Sequence, residues 1–497
     1  MNRRSVLSVF AYAAVAFQFS VLALADEAST TKRFEHAKAS EPQLIAFVKN
    51  MPKGADLHNH VSGAVYGETR LDAAIKSDLF FDPTTCNFSR EQTPGSVPAK
   101  ELLTNNALAA KYLDTTSMRS WRSANESGHD HFFDTFYHMS VPLSLSDSLT
   151  EVLSRAKAQN VQYMELMANP VPSDAMNAAL ADPPNVDDLE KALAQMQTRF
   201  PAMIAAAKTN MDSLDSQLSD LVGTKAPITG VAGPINFRYI FSVSRTVANP
   251  NFFAQMACGL ALVQADKRVV SVNILAPEDD TMARTNFDTQ MRIIDFLWNR
   301  MGKPDLTLHA GELTLAISPV EVMRSRIRKT IEIGHARRIG HGVSIAWEDN
   351  LPGLLAEMKQ KRIAIEICLT SNDSILGISG NRHPFSLYQE AGIPMILNTD
   401  DEGVSRGNLT MEFVRAIRTY NLSYNDVKLL ARNSIEYSFL PGASLYVNGD
   451  YLKLVPELAD VRNPGWTPSA RCMELMNASD KLTEEVTLER AFVEFEK

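Results

Sequence analysis

The 497-residue sequence is poor in cysteine. Its four cysteines, Cys86, Cys258, Cys368 and Cys472, lie far apart with no C-x-x-C pair. That excludes a disulfide framework as the basis of the fold and leaves buried thiols as the expectation. An excess of positive charge is also missing. Lys plus Arg number 49 against 58 Asp plus Glu, a net charge of −9, which argues against nucleic-acid backbone binding as the main activity. Beyond the first 25 residues no uncharged run is long enough to cross a membrane. Internal repeats and low-complexity tracts are absent, and Gly (23) and Pro (24) are ordinary in number, so fibrous and disordered classes drop out.

What is present begins with an address. Arg3 and Arg4 precede an apolar run over 6–22, followed by Ala23-Leu24-Ala25 and then Asp26. A basic start, a short apolar stretch and a small-x-small site predict a signal peptide over 1–25, cleaved after Ala25. Gln18 and Ser20 interrupt the run, so a stable membrane anchor is the weaker reading. The arginine pair followed by Ser-Val-Leu resembles a twin-arginine export signal, with Val6 where Phe is commoner. Cleavage takes the net charge from −9 to −11 and predicts a periplasmic or secreted protein.

Length alone suggests about two to four domains, but an α/β barrel can absorb most of such a chain. Eight short apolar runs, over 54–60, 161–170, 235–245, 269–279, 305–312, 338–345, 363–372 and 394–401, alternate with helical stretches such as 282–301 and 350–361. Their Val, Ile, Leu and Met content suits strands buried on both faces. The series predicts a (β/α)8 TIM-type barrel over 51–444, with an open doubly wound sheet as the alternative. A helical segment over 26–50 precedes it. One insert near 83–140 holds a polar loop over 82–99 and then helical segments carrying His129, His131 and His138; a second, over 171–234, holds two or three helices. These inserts leave a lid and a homodimer interface both open. The tail, 445–497, ends in a helix whose Leu488, Phe492 and Phe495 share one face, predicting packing on the barrel exterior.

The polar residues collect at the C-terminal ends of the runs, where a barrel carries its active site. The first run ends His58-Asn59-His60; residues two apart in a strand point the same way, so both imidazoles can reach one metal. Alone this pattern is weak, because a pair of core or surface histidines fits it as well. The fifth run ends with His309, a third imidazole, and Glu312, within reach for proton transfer. The sixth carries His341 between Gly340 and Gly342, which leaves the imidazole room near a substrate. The eighth ends with Asp400 and Asp401, adjacent carboxylates that point to different sides and so do different jobs. Four such pieces on four strand ends point to a zinc site with one position open for water.

The segments "MPKGADLHNHVSGA", "LHAGE", "RIGHG", "CLTSN" and "LNTDDE" resemble the adenosine deaminase family of the amidohydrolase superfamily, from about residue 51 to 440. The "MPKG" segment and the export signal resemble the secreted adenosine deaminase-related growth factor branch. The resemblance implies one zinc ion per chain, with His58, His60, His309 and Asp400 as ligands. It implies that His341 orients the attacking water and handles its proton, that Glu312 donates a proton to purine N1, and that Asp401 hydrogen-bonds N7. The product is then an inosine-type nucleoside plus ammonia. Two departures stand out. Ala276 replaces a glycine whose N–H meets purine N3, and Ser62 replaces a carboxylate that meets the ribose in the cytosolic branch. The partner implied is a small purine nucleoside, adenosine or 2′-deoxyadenosine; adenine or a modified aminopurine nucleoside is the alternative. Val269–Asp279 has no lysine to bridge two metals, and the H-x-E with P-C-x-x-C signature of cytidine-type deaminases is absent. A secreted growth-factor-like binding protein is the rival from another class. The complete set of metal and proton-transfer residues argues against it. His129 and His131 fit surface positions better than a lid, and His335 and His383 match no family role.

Overall fold

The computed structural model describes residues 27–123, 126–223 and 234–497. The segment 1–25, which carries the export reading, lies outside them.

Eight parallel strands form the centre: β1 (Gly54–His60), β2 (Val161–Met167), β3 (Asn236–Ser244), β4 (Val269–Leu275), β5 (Leu306–Ala310), β6 (Ala336–His341), β7 (Ala364–Ile367) and β8 (Met395–Leu397). They pair as two four-stranded sheets, β1-β2-β3-β4 and β5-β6-β7-β8. In the second, Ile365 pairs with Ile339 on one side and Met395 on the other. β1, β5, β7 and β8 are buried along their whole length, as strands walled by helices must be. The molecule is a (β/α)8 barrel with helical insertions and a C-terminal helical tail.

Two seams close the cylinder, and both run through polar residues. Between β8 and β1, Asp400 N–H donates to His58 O at 2.9 Å and His60 N–H to Asp400 O at 3.3 Å; Leu57 N–H donates to Asn398 Oδ1 at 2.9 Å. Between β4 and β5, side chains stand in for a ladder. Ser271 Oγ donates to Asp305 O at 3.0 Å and accepts from Thr307 N–H at 3.2 Å. Asn273 Oδ1 accepts from His309 N–H at 3.3 Å.

The helices Thr281–Arg300 and Leu351–Lys361 fall within a residue of their predicted bounds. The Asp280 carboxylate caps the first by accepting from Met282 and Ala283 N–H. Apart from β1, which matches its run, the strands are shorter than the apolar runs. The run over 363–372 ends as strand at Ile367, and Leu369–Leu376 is already helix. The loop expected over 82–99 is a three-stranded antiparallel sheet with Phe80–Asp82 at its centre, between Asn87–Ser89 and Val97–Pro98. It forms because Phe81 and Phe88 meet Tyr112 of the helix Asn106–Thr115, with ring centroids 5.9 and 5.1 Å away.

The last helix, Asp480–Phe495, does more than rest on the barrel. Leu488 and Phe492 join the barrel core, while Leu482 and Val486 join a second cluster with Leu445, Tyr446, Leu458 and Met476 of the tail. The helix is therefore a layer between barrel and tail, which is why it also buries Glu484, Glu485 and Glu489. Each has a partner. Glu484 accepts from Gln162 Nε2 at 2.6 Å, Glu485 from Leu445 N–H at 2.5 Å, and Glu489 from Arg432 and Arg462. The helices Glu27–Ala37 and Glu41–Asn50 send Phe34, Leu44 and Val48 into the main core. Among the described residues no helix is long and apolar enough to cross a membrane.

Candidate active site

At the C-terminal mouth of the barrel a cavity of about 440 Å³ is lined by His60, Ser62, Ala276, His309, Glu312, His341, Asp400 and Asp401, together with Phe132, Phe133, Phe136, Tyr137, Leu275, Pro277 and Ile375. His58 lies fully buried directly behind it. Nine residues selected from sequence, spread over more than 300 positions, thus meet at one place, because each follows or ends a parallel strand.

The imidazoles form a cluster with a defined polarity. His58 Nδ1 faces Glu366 Oε2 at 2.7 Å, so His58 Nε2 turns inward, buried and with no hydrogen-bond partner. His309 Nδ1 faces Asn273 Oδ1 at 2.9 Å, which turns its Nε2 inward as well. There it lies 3.2 Å from His60 Nε2. Asp400 Oδ1 is 3.6 Å from His58 Nε2 and 3.4 Å from His60 Nε2. Nitrogen lone pairs aimed at one another beside a carboxylate are costly unless something positive lies among them. The donor set fits a divalent cation that accepts nitrogen and oxygen ligands. His58, His60 and His309 form one compact group of candidate ligands, and His58, His341 and Asp400 another.

Electrostatics separate the three carboxyls. Burial raises the Glu312 pKa to about 8, with the charge of Asp400 adding to the effect. Burial, then the adjacent Asp400, holds Asp401 well above the usual carboxylate range. Asp400 moves the other way: the surrounding imidazoles overcome the burial penalty and hold it well below that range. The surroundings thus favour the ionised form of Asp400 and push Glu312 and Asp401 toward their protonated forms. His60 is lowered to about 4, mainly by burial, which leaves it neutral and free to ligate.

The backbone is strained at three site residues: Ala276 (φ +84°), His341 (φ +68°) and Asp400 (φ +59°) all adopt left-handed conformations that non-glycine residues avoid. Ala276 O accepts from Arg245 Nε at 2.7 Å. Ser62 lies exposed at the rim, and Arg70 Nη2 donates to its carbonyl. The glycines beside His341 do not make room for a substrate. A Cβ on Gly340 would lie 2.9 Å from His58 Cε1, and one on Gly342 2.6 Å from the Tyr388 hydroxyl. They make room for neighbouring side chains.

Several residues of the site gave no signal in sequence. Glu366, besides facing His58, accepts from Thr307 Oγ1 at 2.7 Å and Arg338 Nε at 2.6 Å. These partners bring its pKa to about 2, against the upward push of burial. Glu278 Oε2 accepts from Glu312 N–H at 2.8 Å. The roof comes from the first insert, where the helix Gly128–Thr135 and the turn Phe136–His138 place Phe132, Phe133, Phe136 and Tyr137 on the cavity. His129 and His131 belong to this helix but not to the cavity wall. His129 Nε2 meets Asp279 Oδ1 at 3.1 Å, tying the roof to the loop after β4. His131 Nε2 meets the Asp114 and Ser117 carbonyls. His335 stacks on Trp298, ring centroids 3.8 Å apart, away from the site. All four cysteines are free and buried.

A family model described as adenosine deaminase matches residues 104–445, which leaves β1 and its two histidines outside the matched stretch. The adenosine deaminase of Enterococcus faecalis is 34% identical over 145 residues, 29% of this chain and 39% of that protein. That of Mycobacterium ulcerans is 26% identical over 414 residues, 80% and 93% of the two chains. The chain spans less than half the length of the first curated relatives it matches, 39% and 49%. Among solved structures, the Arabidopsis N6-mAMP deaminase superposes with a TM-score of 0.53 at 20% identity, over 79% of this chain and 95% of that one. That likeness carries the barrel fold.

Proposed function

The chain belongs to the adenosine deaminase family, and from that premise we propose that it hydrolyses the exocyclic amine of adenosine or 2′-deoxyadenosine, giving inosine or 2′-deoxyinosine and ammonia. The observation that carries this reading is the convergence, at one barrel mouth, of the His58, His60, His309 and Asp400 cluster with Glu312, His341 and Asp401. A purine offers lone pairs at N1 and N7, and Glu312 and Asp401, two buried carboxyls pushed toward their protonated forms, are the matching donors.

His58, His60, His309 and Asp400 would hold one zinc ion. When bound, zinc supplies a water acidic enough to act as a nucleophile at neutral pH. Glu312 would deliver its proton to N1, which removes the ring's resistance to attack at C6. Asp401 would donate to N7 and fix the base. His341, with Nε2 3.5 Å from Glu312 Oε1 and 3.8 Å from Asp400 Oδ2, would meet the attacking oxygen. The C6–O bond forms, the C6–N bond breaks, and ammonia leaves. The aromatic roof would exclude water and stack the base. Ser62 at the rim would meet the sugar with a hydroxyl, more weakly than a carboxylate would, and Ala276 would offer its N–H to N3.

The cavity wall holds Glu312, Asp400 and Asp401, and its described lining contains neither Lys nor Arg. A phosphate dianion has no cation to meet there, which favours an uncharged nucleoside over a nucleoside monophosphate. The signal segment supports an exported enzyme. The test is a panel of adenosine, 2′-deoxyadenosine, adenine, AMP and N6-methyl-AMP with zinc-loaded protein. Loss of the adenosine absorbance, with AMP inert, is the expected result. Turnover of adenine or of a modified purine alone would move the substrate to that class, and no turnover at all would support the binding-protein rival.

A further inference from the structure

His341 sits at the end of a hydrogen-bond chain whose direction is set by a backbone amide. Phe385 N–H donates to His383 Nδ1 at 3.1 Å. A backbone N–H can only donate, so His383 Nδ1 carries a lone pair. His383 is almost fully buried, and burial, helped by nearby Arg415, lowers its pKa to about 4, so the ring is neutral. Its single proton is therefore on Nε2, which lies 3.0 Å from Asn372 Oδ1. That contact decides which way the Asn372 amide faces: the oxygen accepts from His383, and Nδ2 donates to His341 Nδ1 at 3.0 Å. Asn372 is fully buried. Turning its amide over would set Nδ2–H against the Nε2–H of His383. His341 Nδ1 is thus an acceptor, and the proton of the neutral ring is on Nε2, the nitrogen nearest Glu312 Oε1 and Asp400 Oδ2.

We propose that Phe385 N–H, His383 and Asn372 lock His341 as the Nε2–H tautomer, so that His341 serves the reaction as a fixed hydrogen-bond donor to the attacking oxygen and not as its base. His383 and Asn372 are positioning residues. The inference rests on the deaminase reading for the identity of the reaction, but the tautomer is a property of the chain. It also closes the proton balance differently. The water's proton cannot go to a nitrogen that already holds one. Glu312, once it has given its proton to N1, is the carboxylate that takes the proton from the water, as the C6–O bond forms. It then returns that proton to the amine, which leaves as ammonia when the C6–N bond breaks, and takes the remaining C6-hydroxyl proton as the carbonyl forms, which restores the acid.

The discriminating variant is Asn372→Asp, which keeps the shape and removes the donor. A carboxylate can accept from His383 Nε2–H but must also accept from His341, which moves the His341 proton to Nδ1 and bares Nε2. The ring-nitrogen signals of ¹⁵N-histidine-labelled full-length protein report the tautomer, with and without zinc. Wild type should show His341 with a proton-free Nδ1, Asn372→Asp should invert it, and His383→Gln, whose amide still donates to Asn372 Oδ1, should retain it. Thermal melts check that both variants fold. In the activity arm Asn372→Asp should lower kcat by about 10²-fold or more with KM little changed, the scale of a lost proton-handling group, and His383→Gln should stay within about tenfold of wild type. A wild-type His341 protonated on Nδ1 overturns the proposal. So does an inverted tautomer with normal kcat. If no purine is turned over, the nitrogen signals still decide the tautomer, and only the deaminase reading fails.

Discussion

Gly63 and Asp401 occupy each other's space: a Cβ on Gly63 would lie 1.8 Å from Asp401 Oδ1 and 2.5 Å from its Cγ. The carboxyl proposed to hold purine N7 is thus pressed against bare backbone, and residue 63 has to lack a side chain for Asp401 to stand where it does. Gly63→Ala should turn Asp401 aside. The expected cost is about 1–3 kcal/mol of stability from overpacking and a fall in kcat/KM of about tenfold or more, the size of one buried hydrogen bond. Zinc content should be unchanged, and steady-state kinetics beside metal analysis would show it. Unaltered kinetics would remove Asp401 from the base-binding role.

Metal and proton transfer should separate cleanly by mutation. Purified protein should carry close to one zinc per chain, and His309→Ala should lose it. Glu312→Gln should keep the zinc and lose turnover by about 10²-fold or more. A metal-free but active preparation, or a fast Glu312→Gln enzyme, contradicts the assignment.

The roof should respond to alkaline pH. The bond to Asp279, opposed by burial and assisted by Asp130, raises the His129 pKa to about 9 from an ordinary 6.5. A folded-state pKa raised in this way means that the His129–Asp279 tie is complete below about 6.5 and is lost as pH rises through about 9. Both groups are partly exposed, so the effect is modest: KM should rise up to about fivefold across that window. His129→Asn should show the raised KM at neutral pH and lose the dependence. An identical pH profile in wild type and variant would mean the tie does not hold the roof.

Ala276 carries a left-handed backbone where glycine is at ease. Ala→Gly at an ordinary position costs roughly 0.5–1 kcal/mol, but here relief of the left-handed strain, about 1–2 kcal/mol, opposes it. Ala276→Gly should therefore leave Tm unchanged or slightly raised and lower KM by opening the approach to N3. A loss of stability above about 1 kcal/mol would show that the strain is not stored there.

The barrel was legible because alternation of apolar runs with helices survives insertions, and the site was legible because a parallel barrel gathers strand ends. His58, His60, His309 and Asp400 stand out by their place at the ends of the runs, and the family resemblance is what groups them as ligands. Asn273 and Glu366, polar residues inside apolar strands, carry no such signal, because their meaning depends on which imidazole faces them across the barrel. Gly63 had no signal at all, since its importance lies in Asp401, 338 positions away. The small sheet over Phe80–Asp82 and Asn87–Ser89 gives no strand signal, because strands of three residues show too little alternation, and only the contact of Phe81 and Phe88 with Tyr112 supplies the reason for them. The roof aromatics give no signal in the insert, because their meaning depends on the mouth of the barrel that they cover.

The layer formed by Asp480–Phe495 sets an order on biosynthesis. Gln162 of β2 waits for Glu484, 322 positions later, to satisfy its side chain, and Arg432 waits for Glu489. While the ribosome still holds that helix, the wall it covers is open and its buried polar groups are unpaired. The barrel wall is therefore sealed only once that helix is in place.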